Sequence, residues 1–331
     1  MRNSSSTEVA STIDPNKNAF RNLIIGRFGR AIAVSFWVMV IIFLMLRLSP
    51  GDPVRIALGD ADYTDADFNN MKIKLGLDGN FITQFFHYLS NLLQGDLGTA
   101  YFSGIPVAEI IKVHLPVTLT LIVFSILLAL IIAIPLALAV ALSKGTTVSY
   151  IFRALTSISL AIPGFFLALM GLLYFGSILN WAPAAGYQEE FPANLRYLWL
   201  PALVNCGSLV PVLSRVLHSS LIDTLDQEFV ETGVIRGVSK VRFYWSYLLR
   251  PSLAPTVVLL SYIIGVMIGG TIIMESIFSL PGIGRELITA VGAKDYPVVQ
   301  GIVLTFGLLV VFASFIGDLL GYFLDRRVTL S

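Results

Sequence analysis

Side chains able to make or break bonds are sparse in this chain of 331 residues. There are three histidines, His87, His114 and His218, and one cysteine, Cys206. The histidines fall in a polar loop, at a helix entrance and at the end of an apolar segment, too scattered to act together as metal ligands or as a base. Cys206 lies alone in an apolar run, which excludes an intrachain disulfide and a cysteine metal cluster and leaves packing as its expected role. No G-x-x-x-x-G-K-[ST] phosphate loop occurs, so the chain does not bind and hydrolyse ATP by that route. H-E-x-x-H and G-x-S-x-G are also absent. Glu275 and Asp318 sit near the ends of apolar segments, where each is expected to reach water or headgroups as an interfacial anchor. These residues do not make a proton relay, so energy for any transport would arrive from a partner.

Two glycine-bearing stretches carry more. "DQEFVETGVIRGVSK", residues 226–240, sets charge between two apolar segments. Thr224 followed by Gln227 fits a capping box, and Asp226 and Glu228 add negative charge where a helix N-terminus favours it. The spacing predicts a helix over 225–236, with Phe229, Val230, Gly233, Val234, Gly237 and Val238 on one stripe and Glu228, Glu231, Thr232 and Arg236 opposite. Gly233 costs such a helix about 1 kcal/mol relative to Ala, which implies close approach to another backbone. Gly237 fits the left-handed position that ends a helix. Ser239 then caps a second short helix, "KVRFYWSYLLR", leading to Pro251. Such a helix–turn–helix unit is shaped to be gripped by a partner.

The second stretch is "MESIFSLPGIGRELITAVGAKDYPVVQG", residues 274–301. Pro281, Gly282 and Gly284 predict a tight turn, followed by a short helix "GRELITAV" that runs back toward the membrane. A re-entrant segment of this kind is tolerated when buried in protein or lining a wet cavity. Glu275, Phe278, Pro281, Gly282 and Gly284 are therefore candidate gate residues.

These stretches hang on elements built for lipid. Hydrophobic residues make up 56% of the chain and charged residues 13%, with a mean hydropathy of +0.80, whereas a soluble domain carries roughly 25% charged residues. Six runs approach the roughly 20 apolar residues that a crossing helix needs: 31–48, 117–142, 153–179, 198–214, 253–274 and 298–323. The fourth is the weakest, broken by Pro201, Asn205 and Pro211. With six spans and an internal N-terminus, the cytoplasmic pieces hold 14 of the 22 Lys and Arg residues, the positive-inside bias. Both termini and residues 226–240 are then cytoplasmic. The first span follows a polar head and is closed by no small-residue cleavage site, so it is not read as a cleavable signal peptide. The head lacks apolar periodicity and is expected to be disordered.

Between the first two spans, Pro50, Gly51 and Pro53 stop a helix, and Asp52, Asp60, Asp62, Asp65 and Asp67 make an acidic, solvated loop. "NFITQFFHYLSNLLQGDLG" follows, with Phe81, Ile82, Phe85, Phe86, Leu89, Leu92 and Leu93 on one helical face. Gln84, His87, Ser90, Asn91 and Gln94 take the other. This helix either lies in the membrane interface or packs over the mouths of the spans, and its polar face could receive an external partner.

Glu231, Thr232, Gly233 and Gly237 make an E-[small]-[small]-x-x-x-G pattern that resembles the EAA motif of ABC importer permeases. "LSPGDP", "QGDLGTAYFSGIPVAEIIKVHLPVTLTL" and "ESIFSLPGIGRELITAV" resemble the oligopeptide/dipeptide permease family, first-subunit type, and the resemblance covers roughly residues 25–328. It implies an all-α polytopic membrane protein of six transmembrane helices with the type I ABC importer (MetI-like) permease fold. The implied partition is a polar cytoplasmic extension at 1–25, a first transmembrane helix at 26–48 and an extracytoplasmic loop at 49–115. A permease core at 116–328 follows and contains a coupling helix at 225–237.

The implied work is translocation of di- or oligopeptides across a bacterial cytoplasmic membrane. ATP and Mg would sit on two separate ATP-binding cassette ATPase subunits, with no cofactor on this chain. A homologous second permease would complete a heterodimer, and an extracytoplasmic substrate-binding protein would deliver the peptide. Lipid surrounds the spans, and nucleic acid has no part. Phe229, Glu231, Thr232, Gly233, Arg236 and Gly237 would couple to the ATPase. Where the family often has "RTARAKG", this chain has "ETGVIRG"; where "ALRNAL" is common it has "LLRPSL", and Pro251 is expected to break the second helix early. His218 stands where an Arg is common. A secondary transporter or channel for a small solute is the rival reading. It would be favoured by a buried charge pair or an inverted repeat.

Overall fold

A computed structural model of the chain describes residues 29, 32–44, 52–59, 62–143, 147–183 and 185–324. The head at 1–25, Arg47, Asp60, Arg326 and Arg327 lie outside the described residues, as does the side chain of Asp318. Among the described residues every regular element is helical, apart from one isolated bridge between Thr99 and Pro106.

Within the first apolar run the described helix is α1, Ile32–Leu44. Three short helices follow, α2 (Pro53–Leu58), α3 (Asp65–Lys74) and α4 (Phe81–Leu93). Asp52 accepts the Val54 N–H at 2.9 Å as α2 begins. Thr64 and Asp67 form a reciprocal capping box on α3, which satisfies two N–H groups that a helix start leaves open. Those bonds hold the Asp67 carboxyl below its ordinary range. On α4, Phe85 wedges between Phe36 and Phe43 of α1, with ring centroids 6.4 and 5.2 Å apart. Phe81, Ile82, Phe86 and Leu93 stay exposed among the described residues, so Phe85 joins this helix to α1 while much of its apolar face stays open.

α5 (Val107–Leu142) begins well before residue 117, because Pro116 is carried inside it. The uncharged run marks the part that crosses lipid and not the helix end. The third apolar run is not one helix. α6 (Thr147–Ala161) and α7 (Gly164–Gly171, continued by wide turns over Leu172–Ile178) meet at 88°. Pro163 causes the break, since it lacks an N–H and disfavours helical geometry at Ile162. The fourth run is longer than expected: α8 spans Leu195–Leu225, with Pro201 and Pro211 inside. Although it is the least hydropathic span, 56% of its apolar window is buried, against 33% for the other three continuous spans.

After α9 (Glu228–Ile235), a short α10 (Lys240–Arg242) passes through wide π turns at Phe243–Leu249 into α11 (Arg250–Ile277). The break expected at Pro251 does not occur. Widened turns carry one extra residue, and Pro251 stands in the first turn after them, where a missing N–H is tolerated. α12 (Ile283–Ala293) and α13 (Tyr296–Leu324) close the chain. Among the described residues four helices are long and apolar enough to cross a membrane, or five if the bent α6–α7 pair makes one span.

α5 lies along α8, and α11 along α13, with α12 wedged against α5, α11 and α13. At one end Ala137, Ala141, Leu217, Leu221 and Leu248 form a small core beneath α9. At the other, Val117, Leu121, Leu198, Phe278 and Leu280 pack together. Also at that end, Asp295 joins α12 to α13 and accepts the Tyr101 N–H at 2.9 Å.

Burial holds the Asp295 carboxyl above its ordinary range, opposed by the N–H groups of Tyr101, Val298 and Phe102. A carboxyl raised by folding keeps its proton to higher pH in the folded chain, so its contribution is present below 3.8 and is lost as pH rises through the raised value. Asp295→Asn retains an acceptor but removes this dependence. The stability of the natural protein relative to Asp295→Asn should therefore fall as pH is raised above 4, read by thermal unfolding in detergent. A rising difference would contradict the assignment.

Candidate functional site

Two assemblies emerge, one at each end of the bundle. The first is the turn between α11 and α12. Glu275 closes the last turns of α11 with no exposed surface at all. The expectation that it reaches water as an interfacial anchor is overturned, because the re-entrant segment folds back over it. Its Oε1 accepts from the Thr118 hydroxyl. Its Oε2 accepts from the Arg285 N–H at 2.9 Å, and the Gly284 N–H also faces it. Thr118 in turn accepts from the Ile283 N–H at 3.0 Å. The start of α12 thus delivers its unpaired N–H groups to one carboxyl and one hydroxyl, the arrangement that a helix N-terminus favours.

The P-G-I-G sequence is the imprint of that carboxyl. A Cβ on Gly282 would fall within it, and a Cβ on Gly284 would lie 2.8 Å from Ile272 and 2.9 Å from Oε2. His114 of α5 donates from Nδ1 to the Pro281 carbonyl at 2.8 Å, which fixes the proton on that nitrogen. Phe278 is buried beside Leu280 in the core below. The structure therefore brings Glu275, Phe278, Pro281, Gly282 and Gly284 together, and adds Thr118 and His114. On α12 itself, Arg285, Ile288 and Val291 are exposed.

The second assembly is the α9 hairpin. Thr224 does not cap α9. It belongs to the last turn of α8, donates to the Ser220 carbonyl at 2.7 Å and accepts from Ser252 of α11 at 2.8 Å. The expected box fails because α8 runs on to Leu225, so α9 starts at Glu228 behind Gln227. Its end follows expectation. Gly237 has φ of +65°, its N–H reaches the Val234 carbonyl, and the Val238 N–H reaches that of Gly233, the paired bonds of a Schellman stop. Ser239 stands before α10 but makes no side-chain cap.

Gly233 is buried, but its close neighbour is a side chain and not a backbone. A Cβ there would lie 2.9 Å from the Tyr247 ring. Phe229 meets the same ring at 6.4 Å between centroids. Val230 and Gly233 thus face the π-turn segment, while Glu231, Thr232 and Arg236 are exposed. So are Val234, Ile235, Val241 and Trp245, the last three at 78%, 81% and 62%. Tyr247 was not legible beforehand, because only the widened turns rotate it toward α9.

The histidines stay apart: His87 faces Asn91, and His218 lies against the Phe152 ring. Among the described residues no three His, Cys, Asp or Glu side chains gather as metal ligands would.

Residues 133–330 match the family described as binding-protein-dependent transport system inner membrane component, and residues 20–122 match its N-terminal companion. A putative peptide transport system permease protein of Brucella suis biovar 1 (strain 1330) is 31% identical over 309 residues, covering 92% of this chain and 98% of the relative. The oligopeptide transport system permease protein AppB of Bacillus subtilis (strain 168) is 30% identical over 311 residues, again covering 92% and 98%. A probable peptide ABC transporter permease protein of Sinorhizobium fredii (strain NBRC 101917 / NGR234) is 28% identical over 309 residues, with the same coverage.

The Glu275 assembly is testable by removing one hydroxyl. Thr118→Val leaves the Ile283 N–H and the carboxyl each short of a partner and should cost about 1–3 kcal/mol, seen as earlier thermal unfolding in detergent. Thr120→Val is the control, since that exposed hydroxyl only returns to the Pro116 carbonyl of its own helix. Equal stability of the two variants would refute the arrangement.

Proposed function

The chain belongs to the binding-protein-dependent transport system inner membrane component family, and we propose that it is the permease subunit of an ABC importer for di- or oligopeptides. ATP and Mg act on two separate ATPase subunits, a homologous second permease completes the pathway, and an extracytoplasmic binding protein supplies the peptide. The hairpin end faces the cytoplasm, as the basic residues favour. The names of the relatives, peptide and oligopeptide permeases, support the peptide class.

The observation that carries the coupling role is the exposed apolar surface of the hairpin, Phe229, Val234, Ile235, Val241 and Trp245, on a unit whose inner side is fastened to Tyr247. An apolar helix face of this kind docks in a groove of a partner, with Glu231, Thr232 and Arg236 at its rim and Gly233 and Gly237 setting its shape. Lys240–Ile277 is helical without a break over 38 residues, roughly 55 Å. Movement imposed at the hairpin is carried along it to Glu275, where α12 is clamped. Glu275, Phe278, Pro281, Gly282 and Gly284 then hold α12 as a gate, with Arg285, Ile288 and Val291 as its free face.

Purification of the tagged chain from its host should recover a second permease and ATPase subunits with it. Ile235→Glu, which alters only exposed surface, should lower ATPase recovery and peptide uptake about tenfold or more, equivalent to roughly 1.4 kcal/mol, while membrane insertion persists. Gly233→Leu should abolish uptake outright by displacing Tyr247. Normal uptake in both variants would refute the coupling assignment.

A further inference from the structure

Polar side chains on a helix inside a bilayer do not face hydrocarbon without a large penalty. On most of the bundle the exposed large side chains obey this: Leu127 and Ile131 on α5, Val266 on α11, Leu308 and Phe312 on α13. α8 does not. Its one large apolar side chain with more than a third of its surface exposed is Leu203. The outward edge, at steps of three or four residues, reads Asn205, Ser208, Val212, Arg215, Ser219 and Asp223. Ser208, Ser219 and Asp223 are exposed, and Asn205, Val212 and Arg215 half-buried. From the first to the last the edge rises about 27 Å. Asn205, Ser208 and Val212 lie in the apolar run 198–214, and Arg215, Ser219 and Asp223 follow it toward the cytoplasmic end of α8.

Arg215 is the basic group of this edge and Asp223, nearer the end of α8, its acidic one. Its Nε donates to the Thr156 hydroxyl at 2.9 Å, and one terminal nitrogen donates to the Ser157 hydroxyl at 2.7 Å and the Arg153 carbonyl at 3.3 Å. These acceptors orient the guanidinium without neutralising it. Among the described residues no carboxylate pairs with Arg215, and Asp223 lies about 12 Å further along the helix.

We propose that this edge of α8, with Ser157 of α6, is the wetted wall of the translocation pathway, and that Arg215 is where a peptide's terminal carboxylate is held during passage. The inference rests on the peptide-permease reading. A planar guanidinium fixed on one side by hydroxyls presents its remaining N–H groups to a carboxylate on the other. The small hydroxyl side chains beside it exchange partners with water at little cost, which suits a passage for peptides of differing sequence.

The test uses the assembled transporter with Cys206→Ala in place of its buried cysteine. Ser208→Cys and Ser219→Cys should react with a membrane-impermeant cationic methanethiosulfonate, and peptide substrate should slow the reaction. Leu127→Cys and Phe312→Cys should not react. Unreactive cysteines at both Ser208 and Ser219, or their ready disulfide cross-linking in place of labelling, would overturn the proposal and mark the edge as a dry helix contact. In the second arm, Arg215→Gln should lower the maximal uptake rate of a peptide with a free terminal carboxylate about tenfold. Uptake of the same peptide amidated should change little, and Arg215→Lys should restore part of the rate. Equal loss for both peptides would overturn the carboxylate role and make Arg215 a tie between helices. Failure of the unmodified transporter to import peptides would instead strike the permease reading, because labelling of the edge needs no import.

Discussion

A carboxyl group sealed inside a membrane protein must find its donors within the protein, because lipid offers none. Glu275 meets that demand with a threonine from a distant helix and with the N–H groups that open α12. The conditions on the surrounding chain follow. Gly282 and Gly284 have no side chain because the carboxyl and Ile272 fill that space. Pro281 turns the chain and exposes a carbonyl to His114. α12 then lies back across α5, α11 and α13, and Asp295 at its far end is tied to Tyr101. A segment of eleven residues is in this way anchored to four parts of the chain.

The opposite end shows the reverse economy. α9 is only eight residues long, too short to be stable as an isolated helix. Its inner side relies on Val230 and on the fit of Gly233 to Tyr247, and its outer side exposes Phe229, Val234 and Ile235 beside Glu228, Glu231 and Thr232. The two ends are joined by the unbroken helix from Lys240 to Ile277. The widened turns at Phe243–Leu249 serve two purposes there. They present Tyr247 to α9, and they let Pro251 stand in the helix without severing the link.

Much of this was legible from residue order, for identifiable reasons. Gly237 announced a left-handed stop, and the bonds of Val238 and Gly237 deliver it. The glycines after Pro281 announced a turn and a returning helix. What could not be read was which group would require those glycines. The partner of Glu275 is Thr118, 157 residues away, and no local pattern ties them. Thr224 misled because a capping box is a local signal, whereas α8 was extended through it by packing against Ser252 and Leu248. The apolar run around Pro163 masked the 88° turn there, since hydropathy records solvent preference and not direction.

The weak signal of the fourth span has the same origin. Hydropathy scales measure affinity for lipid, and a helix surrounded by protein has little need of it. The Asn205 amide of α8 donates to the Ser125 hydroxyl of α5 at 3.0 Å, and the Ser159 hydroxyl of α6 donates to the Gly207 carbonyl. Small and polar residues of this kind let helices approach closely inside a membrane. α8 is thus low in hydropathy because it is central, with its neighbours supplying the apolar surface that lipid sees. A span that reads as marginal in a family of clean apolar helices is, by this logic, the one whose remaining free edge is least suited to lipid and best suited to water.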